Sequence, residues 1–152
     1  AEYSKIAAKA GRVLGMYCIG LCYADGIGIK KSASDAIYWF REYLKYEPDD
    51  EMALNFLAYC LADPFEMYDI EHTQDMLEES YYCASKAAKS GNPYSNTLVG
   101  LFYEKGIVVK RDIETAYKYI KYGAENGDSN AQKLLKHYRK NIFGKIVLMN
   151  EK

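Results

Sequence analysis

Apolar residues along this chain recur at helical spacing, in blocks separated by glycine, proline and aspartate. Leu14, Tyr17, Cys18, Leu21 and Cys22 form one such stripe and predict a helix from about Arg12 to Asp25, with Gly26 as its exit. Ser32, followed three residues later by Asp35, opens a second helix in a capping-box arrangement. Its apolar stripe is Ala36, Ile37, Phe40 and Leu44. Pro48 and the two aspartates after it close that helix and cap the next, which carries Ala53, Leu57, Ala58 and Leu61. Asp63-Pro64-Phe65 breaks the third helix, and an acidic connection leads to a fourth, from near Thr73 to Ser90. Beyond Gly91-Asn92-Pro93, residues Tyr94 to Lys105 read as a fifth helix. Asp112 caps a sixth, bearing Ala116, Ile120 and Ala124 and ended by Gly127. Asp128 or Ser129 caps a last helix through about Tyr138.

The blocks are copies of one another. Ile19-Gly20-Leu21-Cys22-Tyr23 aligns without a gap on Val99-Gly100-Leu101-Phe102-Tyr103, eighty residues on. At the same offset Gly26 falls on Gly106, Lys30 on Lys110, Ala36 on Ala116 and Trp39 on Tyr119. Such self-similarity, in a chain of helical spacing throughout, predicts an all-α repeat solenoid. The organisation read from it is one repeat domain over 1–152. It comprises a half repeat at 2–11, a repeat at 12–47, a degenerate repeat with an insertion at 49–91, a repeat at 93–127, and a capping helix and tail at 128–152. The half repeat suggests a piece of a longer array, and a processed terminus is the alternative. Gly20 and Gly100, with Ala58 in the middle copy, form a small-residue column expected to let paired helices approach closely.

Residues Ile19-Gly20, Tyr23, Gly26, Ile29-Lys30, Ala36 and Trp39, with Val99-Gly100, Tyr103, Gly106, Val109-Lys110, Asp112, Ala116 and Tyr119, resemble the Sel-one-like repeat, a branch of the tetratricopeptide superfamily. Ala58 for glycine, Val108 for a second loop glycine and Ser32 for aspartate depart from that pattern. The resemblance implies an α-solenoid of antiparallel helix pairs stacked into a right-handed superhelix, whose concave face, lined by the first helix of each pair, is an adaptor surface for a protein or peptide. By repeat position Tyr17, Leu21, Asn55, Tyr59, Thr97, Leu101 and Glu104 would face that groove. Many relatives are bacterial and some are exported, so the compartment stays open, with the cytoplasm favoured.

Composition narrows the function further. A net charge of −1 gives no global attraction to nucleic acid or anionic membranes, and no apolar run is long enough to span a bilayer. Sixteen tyrosines supply side chains suited both to helix packing and to binding surfaces. The cysteines at 18, 22, 60 and 83 lack zinc-site spacing. They read as buried thiols, with a Cys60–Cys83 bridge the alternative. The insertion gathers Asp63, Glu66, Asp69, Glu71, His72 and Asp75 without the spacing of a calcium loop, and reads as a solvated acidic segment. Lys133, Lys136, His137, Arg139, Lys140 and Lys145 read as a solvated, cation-rich helix end. Residues 141–149 do not repeat, and either cap the last helix or dock into another molecule. No nucleophile, phosphate-loop or dinucleotide motif occurs, so neither catalysis nor a cofactor is expected. The expected function is a non-catalytic adaptor for a protein or peptide, either monomeric or weakly self-associating through the tail. The alternatives are a structural spacer in a longer array and a metal-binding protein using the acidic insertion.

Overall fold

The structure is a computed structural model that describes residues 2–149. Its helices are α1 (Glu2–Asp25), α2 (Ala33–Leu44), α3 (Glu51–Ala62), α4 (Gln74–Lys89), α5 (Pro93–Lys105), α6 (Ile113–Glu125) and α7 (Ser129–Leu135). An antiparallel hairpin of β1 (Tyr138–Lys140) and β2 (Ile146–Leu148) follows. Consecutive helices pack in pairs, α1 on α2, α3 on α4 and α5 on α6, and each pair stacks on the next. This is an α-solenoid, as the repeat predicts. No helix among the described residues is long and apolar enough to cross a membrane.

The helix starts follow the sequence signals. Ser32, Asp50, Thr73, Asn92, Asp112 and Asp128 each accept a hydrogen bond from an amide of the first turn they cap. Gly26 and Gly106 both hold positive φ at the exits of equivalent helices. Val108, in place of the loop glycine, is forced to φ 65°, a conformation that a β-branched residue adopts only under strain.

Close approach through the small-residue column is visible directly. A Cβ on Gly20 would lie 2.9 Å from the Phe40 ring. On Gly100 it would lie 2.6 Å from Ile120 Cγ1 and 3.0 Å from the Ala116 carbonyl. Ala58 is wholly buried, and Ser80 donates to its carbonyl at 2.7 Å. The main core runs along the stack through Phe40, Leu57, Leu61, Leu98 and Phe102. A second core joins Leu101 and Ile120 to Ala131, Tyr138 and Ile146 of the C-terminal end.

Three expectations need correction. The first helix does not begin near Arg12, because α1 runs unbroken from Glu2. In the third repeat, Asn92 and Pro93 stop one helix and start the next. At the matching positions Arg12 and Val13 supply neither a cap nor a missing N–H, so the helix simply continues. Its stripe is also rotated from the one read in sequence. Leu14 and Cys18 are exposed, while Gly20 and Ala24 face the core with Val13, Met16, Tyr17 and Leu21 against it. Finally, the last helix stops at Leu135, and the following residues fold as a hairpin over α6. Tyr138 and Ile146 are buried there, and the Ile146 amide donates to Glu114 at 2.9 Å. The four cysteines are free thiols, Cys60 and Cys83 buried and unbridged.

Candidate functional site

A groove of about 360 Å³ lies over α3, on the face formed by the first helices of the pairs. Met52, Asn55, Phe56 and Tyr59 fall on one side of α3 because they are spaced three to four residues apart. The end of α1 (Ala24, Asp25), the start of α5 (Tyr94) and Asn130 of α7 border them. The insertion supplies the remaining wall, Phe65, Met67 and Tyr68.

That wall is built, not loose. Asp63 ends α3 in a left-handed conformation, φ 41°, and its carboxylate accepts from the Met67 and Tyr68 amides at 2.7 and 3.0 Å. Tyr68 then donates its hydroxyl to the Ala24 carbonyl at 2.9 Å, tying the insertion to α1. His72 Nδ1 lies 2.7 Å from the Leu61 carbonyl, anchoring the far end. Phe65 stacks over Tyr59 with centroids 6.3 Å apart. Met52, Phe65, Met67 and Tyr94 remain exposed around the opening. The acidic insertion is therefore a folded flap with an apolar inner side. Among the described residues no three His, Cys, Asp or Glu side chains converge as a metal site would require.

Of the residues placed on the groove by repeat position, Asn55 and Tyr59 line it. Both polar tips are engaged: Ser95 Oγ donates to Asn55 Oδ1 at 2.8 Å, and the Tyr59 hydroxyl donates to the Tyr94 carbonyl at 2.7 Å. Burial, then the nearby Asp128 carboxylate, raises the Tyr59 hydroxyl well above its ordinary pKa. Asp128 itself is buried beneath the groove's edge, one oxygen capping α7 and the other without a hydrogen-bond partner.

The other predicted residues are elsewhere. Tyr17 packs its half-buried ring among Phe40, Tyr43 and Phe56, and Leu21 packs against the same core. Thr97 is fully buried, its hydroxyl on the Pro93 carbonyl, because Gly123 of α6 presses directly against it. Leu101 is buried beneath the C-terminal end, and Glu104 accepts the Tyr138 hydroxyl. The α7 segment and hairpin close over the third repeat, so Thr97 and Leu101 are packing residues, Thr97 wholly enclosed and Leu101 nearly so. Sequence reasoning missed Met52, Phe56, Phe65, Met67 and Tyr94. The apolar residues set between acidic ones in the insertion were the available signal.

Burial holds Cys60 protonated by pushing its thiol up to about 11, and pushes Cys83 up to about 12. Neither is a nucleophile at neutral pH. The site offers an apolar, aromatic and methionine-rich surface with few free polar groups.

Comparison with known proteins gives the same fold. A Sel1 repeat protein from Oxalobacter formigenes is 26% identical, with 87% of this chain and 93% of that one covered and a TM-score of 0.59. A protective antigen present in uropathogenic Escherichia coli strains, displaying an SLR fold, is also 26% identical, with 90% of this chain covered and a TM-score of 0.66. This chain spans 27% of the latter. Both are bacterial proteins. Sel1 repeats are in general protein-interaction modules, and repeats of this type are typically non-catalytic. The Sel1 repeat model matches residues 13–42, 51–92 and 93–128, most of the sequence, and the chain belongs to the Sel1 repeat family.

Proposed function

We propose that this chain is a non-catalytic adaptor that binds a protein or peptide segment in the groove over α3. The observation that carries this reading is the flap. Its hydrogen bonds to Asp63, Ala24 and Leu61 hold Phe65 and Met67 beside Tyr59 and deepen the first-helix face into a groove. Methionine and aromatic side chains adapt to varied apolar partners and supply most of the energy at binding hot spots. With Asn55 and Tyr59 committed internally, recognition rests on apolar anchors and shape.

The test is selection of binding peptides from a displayed library, followed by affinity measurement against wild type and two groove variants, Met67→Asp and Tyr94→Asp. Both positions are exposed, so helicity should be retained. Affinity should fall at least about 10-fold in each, because a carboxylate would be buried against an apolar ligand. Peptides that bind both variants as tightly as wild type would place recognition on another face. A library yielding no binder would favour a structural spacer.

A further inference from the structure

The most exposed large apolar side chains of the described structure are Ile142 and Phe143, at 94% and 80%. They form the tip of the C-terminal hairpin, and the tip is rigidly made. The Asn141 amide donates to the Lys145 carbonyl at 2.8 Å, and the Gly144 amide donates to the Asn141 carbonyl at 3.0 Å. Asn141 Oδ1 also accepts from the amides of Phe143 and Lys145. Gly144, at φ 76°, completes a three-residue loop of the kind that joins tight hairpins. Central positions of such turns ordinarily hold small or polar residues. Here they hold isoleucine and phenylalanine, which no described residue covers. A local rule broken at a well-ordered position marks function more often than accident.

The surroundings of the tip are cationic. Arg139, Lys140 and Lys145 lie on the strands and turn next to it and Lys136 precedes the hairpin's base; all are exposed, and none forms an ion pair among the described residues. Of the carboxylates facing the hairpin, Glu104 sits at its base and accepts the Tyr138 hydroxyl, while Glu114 accepts the Ile146 amide beside the Lys140–Ile146 pair, where the tip begins. Residues 129–149 hold five lysines and arginines and no aspartate or glutamate, so this end is locally cationic in a chain whose net charge is only −1.

We propose that the hairpin tip is a peripheral contact for an anionic lipid surface, with Ile142 and Phe143 entering the headgroup boundary and the flanking cations meeting acidic headgroups. Apolar insertion and basic attraction together give reversible attachment that neither achieves alone. The long lysine and arginine stems can lie along the apolar boundary while their charges stay with the headgroups. A protein groove is the competing occupant. The groove over α3, with Asp25 as the charged side chain lining it, would answer the apolar tip but leave most of the cations unmatched.

The test is co-sedimentation of the protein with phosphatidylcholine vesicles, with and without phosphatidylserine. Wild type should bind only the anionic vesicles, less as salt rises. The double variant I142S/F143S loses no packing, so its helicity should match wild type while its vesicle affinity falls by about 100-fold. K140Q/K145Q should lower affinity by about 10-fold or more. Absence of wild-type binding, or binding that survives loss of Ile142 and Phe143, would overturn the proposal. So would concentration-dependent self-association, without vesicle binding, that disappears in I142S/F143S; that would assign the tip to a second copy.

Discussion

The small-residue column makes a sharp prediction when one substitution is placed at two glycines. Gly15 and Gly100 both lie inside helices with ordinary backbone angles. Replacing either by alanine gains helix propensity of about 1 kcal/mol. At Gly15 a new Cβ meets nothing within 4 Å, so the gain stands and Gly15→Ala should stabilise by about 0.5–1 kcal/mol. At Gly100 the same atom arrives 2.6 Å from Ile120 Cγ1, against an optimal carbon separation of about 3.5–4.0 Å. Ile120 is wholly buried and cannot rotate aside, and the Ala116 carbonyl at 3.0 Å is backbone. Helix α6 must therefore withdraw by about 1 Å, loosening the pair. Overpacking of this kind costs about 1–3 kcal/mol; the approach to Ile120 is severe enough to put Gly100→Ala in the upper part of that range, so it should be net destabilising by up to about 2 kcal/mol after the propensity gain. Thermal melts followed by far-ultraviolet circular dichroism should move in opposite directions, by about 2–4 °C per kcal/mol for a chain of this size. Gly100→Leu should be worse. Equal or upward shifts for both alanine variants would refute the close-approach argument.

Val108→Gly should stabilise by about 0.5–1 kcal/mol, since relief of the left-handed valine outweighs the added freedom of the unfolded chain; denaturant melts would show it. Asp63→Ala should lower the melting temperature more than Asp63→Asn, because alanine leaves the Met67 and Tyr68 amides without their acceptor, a loss of about 1–3 kcal/mol. In native protein at pH 8 a chromogenic disulfide reagent should label exposed Cys18 quickly. Cys60 should lag by at least about 100-fold, from the two-unit rise to about 11, until denaturant is added. The same rise sets a pH dependence. The unfolded thiol releases its proton near 9 while the folded one keeps it to about 11, so the unfolded chain holds fewer protons in that interval. Stability from Cys60 is therefore complete below pH 9 and lost as pH climbs to 11, and the loss should be shallower in Cys60→Ala by melts across that range.

The sequence made the helix pairs legible because their determinants are local and repeated. Caps at Ser32, Asp50, Thr73 and Asp112, exits at Gly26 and Gly106, and the column at Gly20, Ala58 and Gly100 each declare themselves within a few residues. The continuous α1 was legible too, had Arg12-Val13 been set against Asn92-Pro93 instead of being assigned the same break. The groove flap and the hairpin were not. Their geometry depends on where Asp63 aims its carboxylate and on what α6 leaves uncovered, which are three-dimensional facts.

The seven site residues show why repeat position alone misplaces a surface. Tyr17 and Thr97 occupy equivalent positions, and so do Tyr43 and Gly123. In the first repeat two tyrosine rings meet at 5.2 Å and hold their helices apart, with the Tyr43 hydroxyl reaching Asp50. In the third repeat both members of the pair have shrunk together. A Cβ on Gly123 would collide with Thr97 Oγ1 and stand 2.8 Å from the Pro93 carbonyl, so α6 has closed onto α5 and sealed Thr97 inside. A threonine in one helix foretells burial only when the glycine opposite is read with it, and that glycine has no counterpart in the other copies to draw the eye. Binding surfaces in such an array are thus set by pairs of facing volumes. The α3 groove stays open because its flap carries Phe65 and Met67 outward around Tyr59, whereas the third repeat is closed by a small-residue pair and capped by the hairpin.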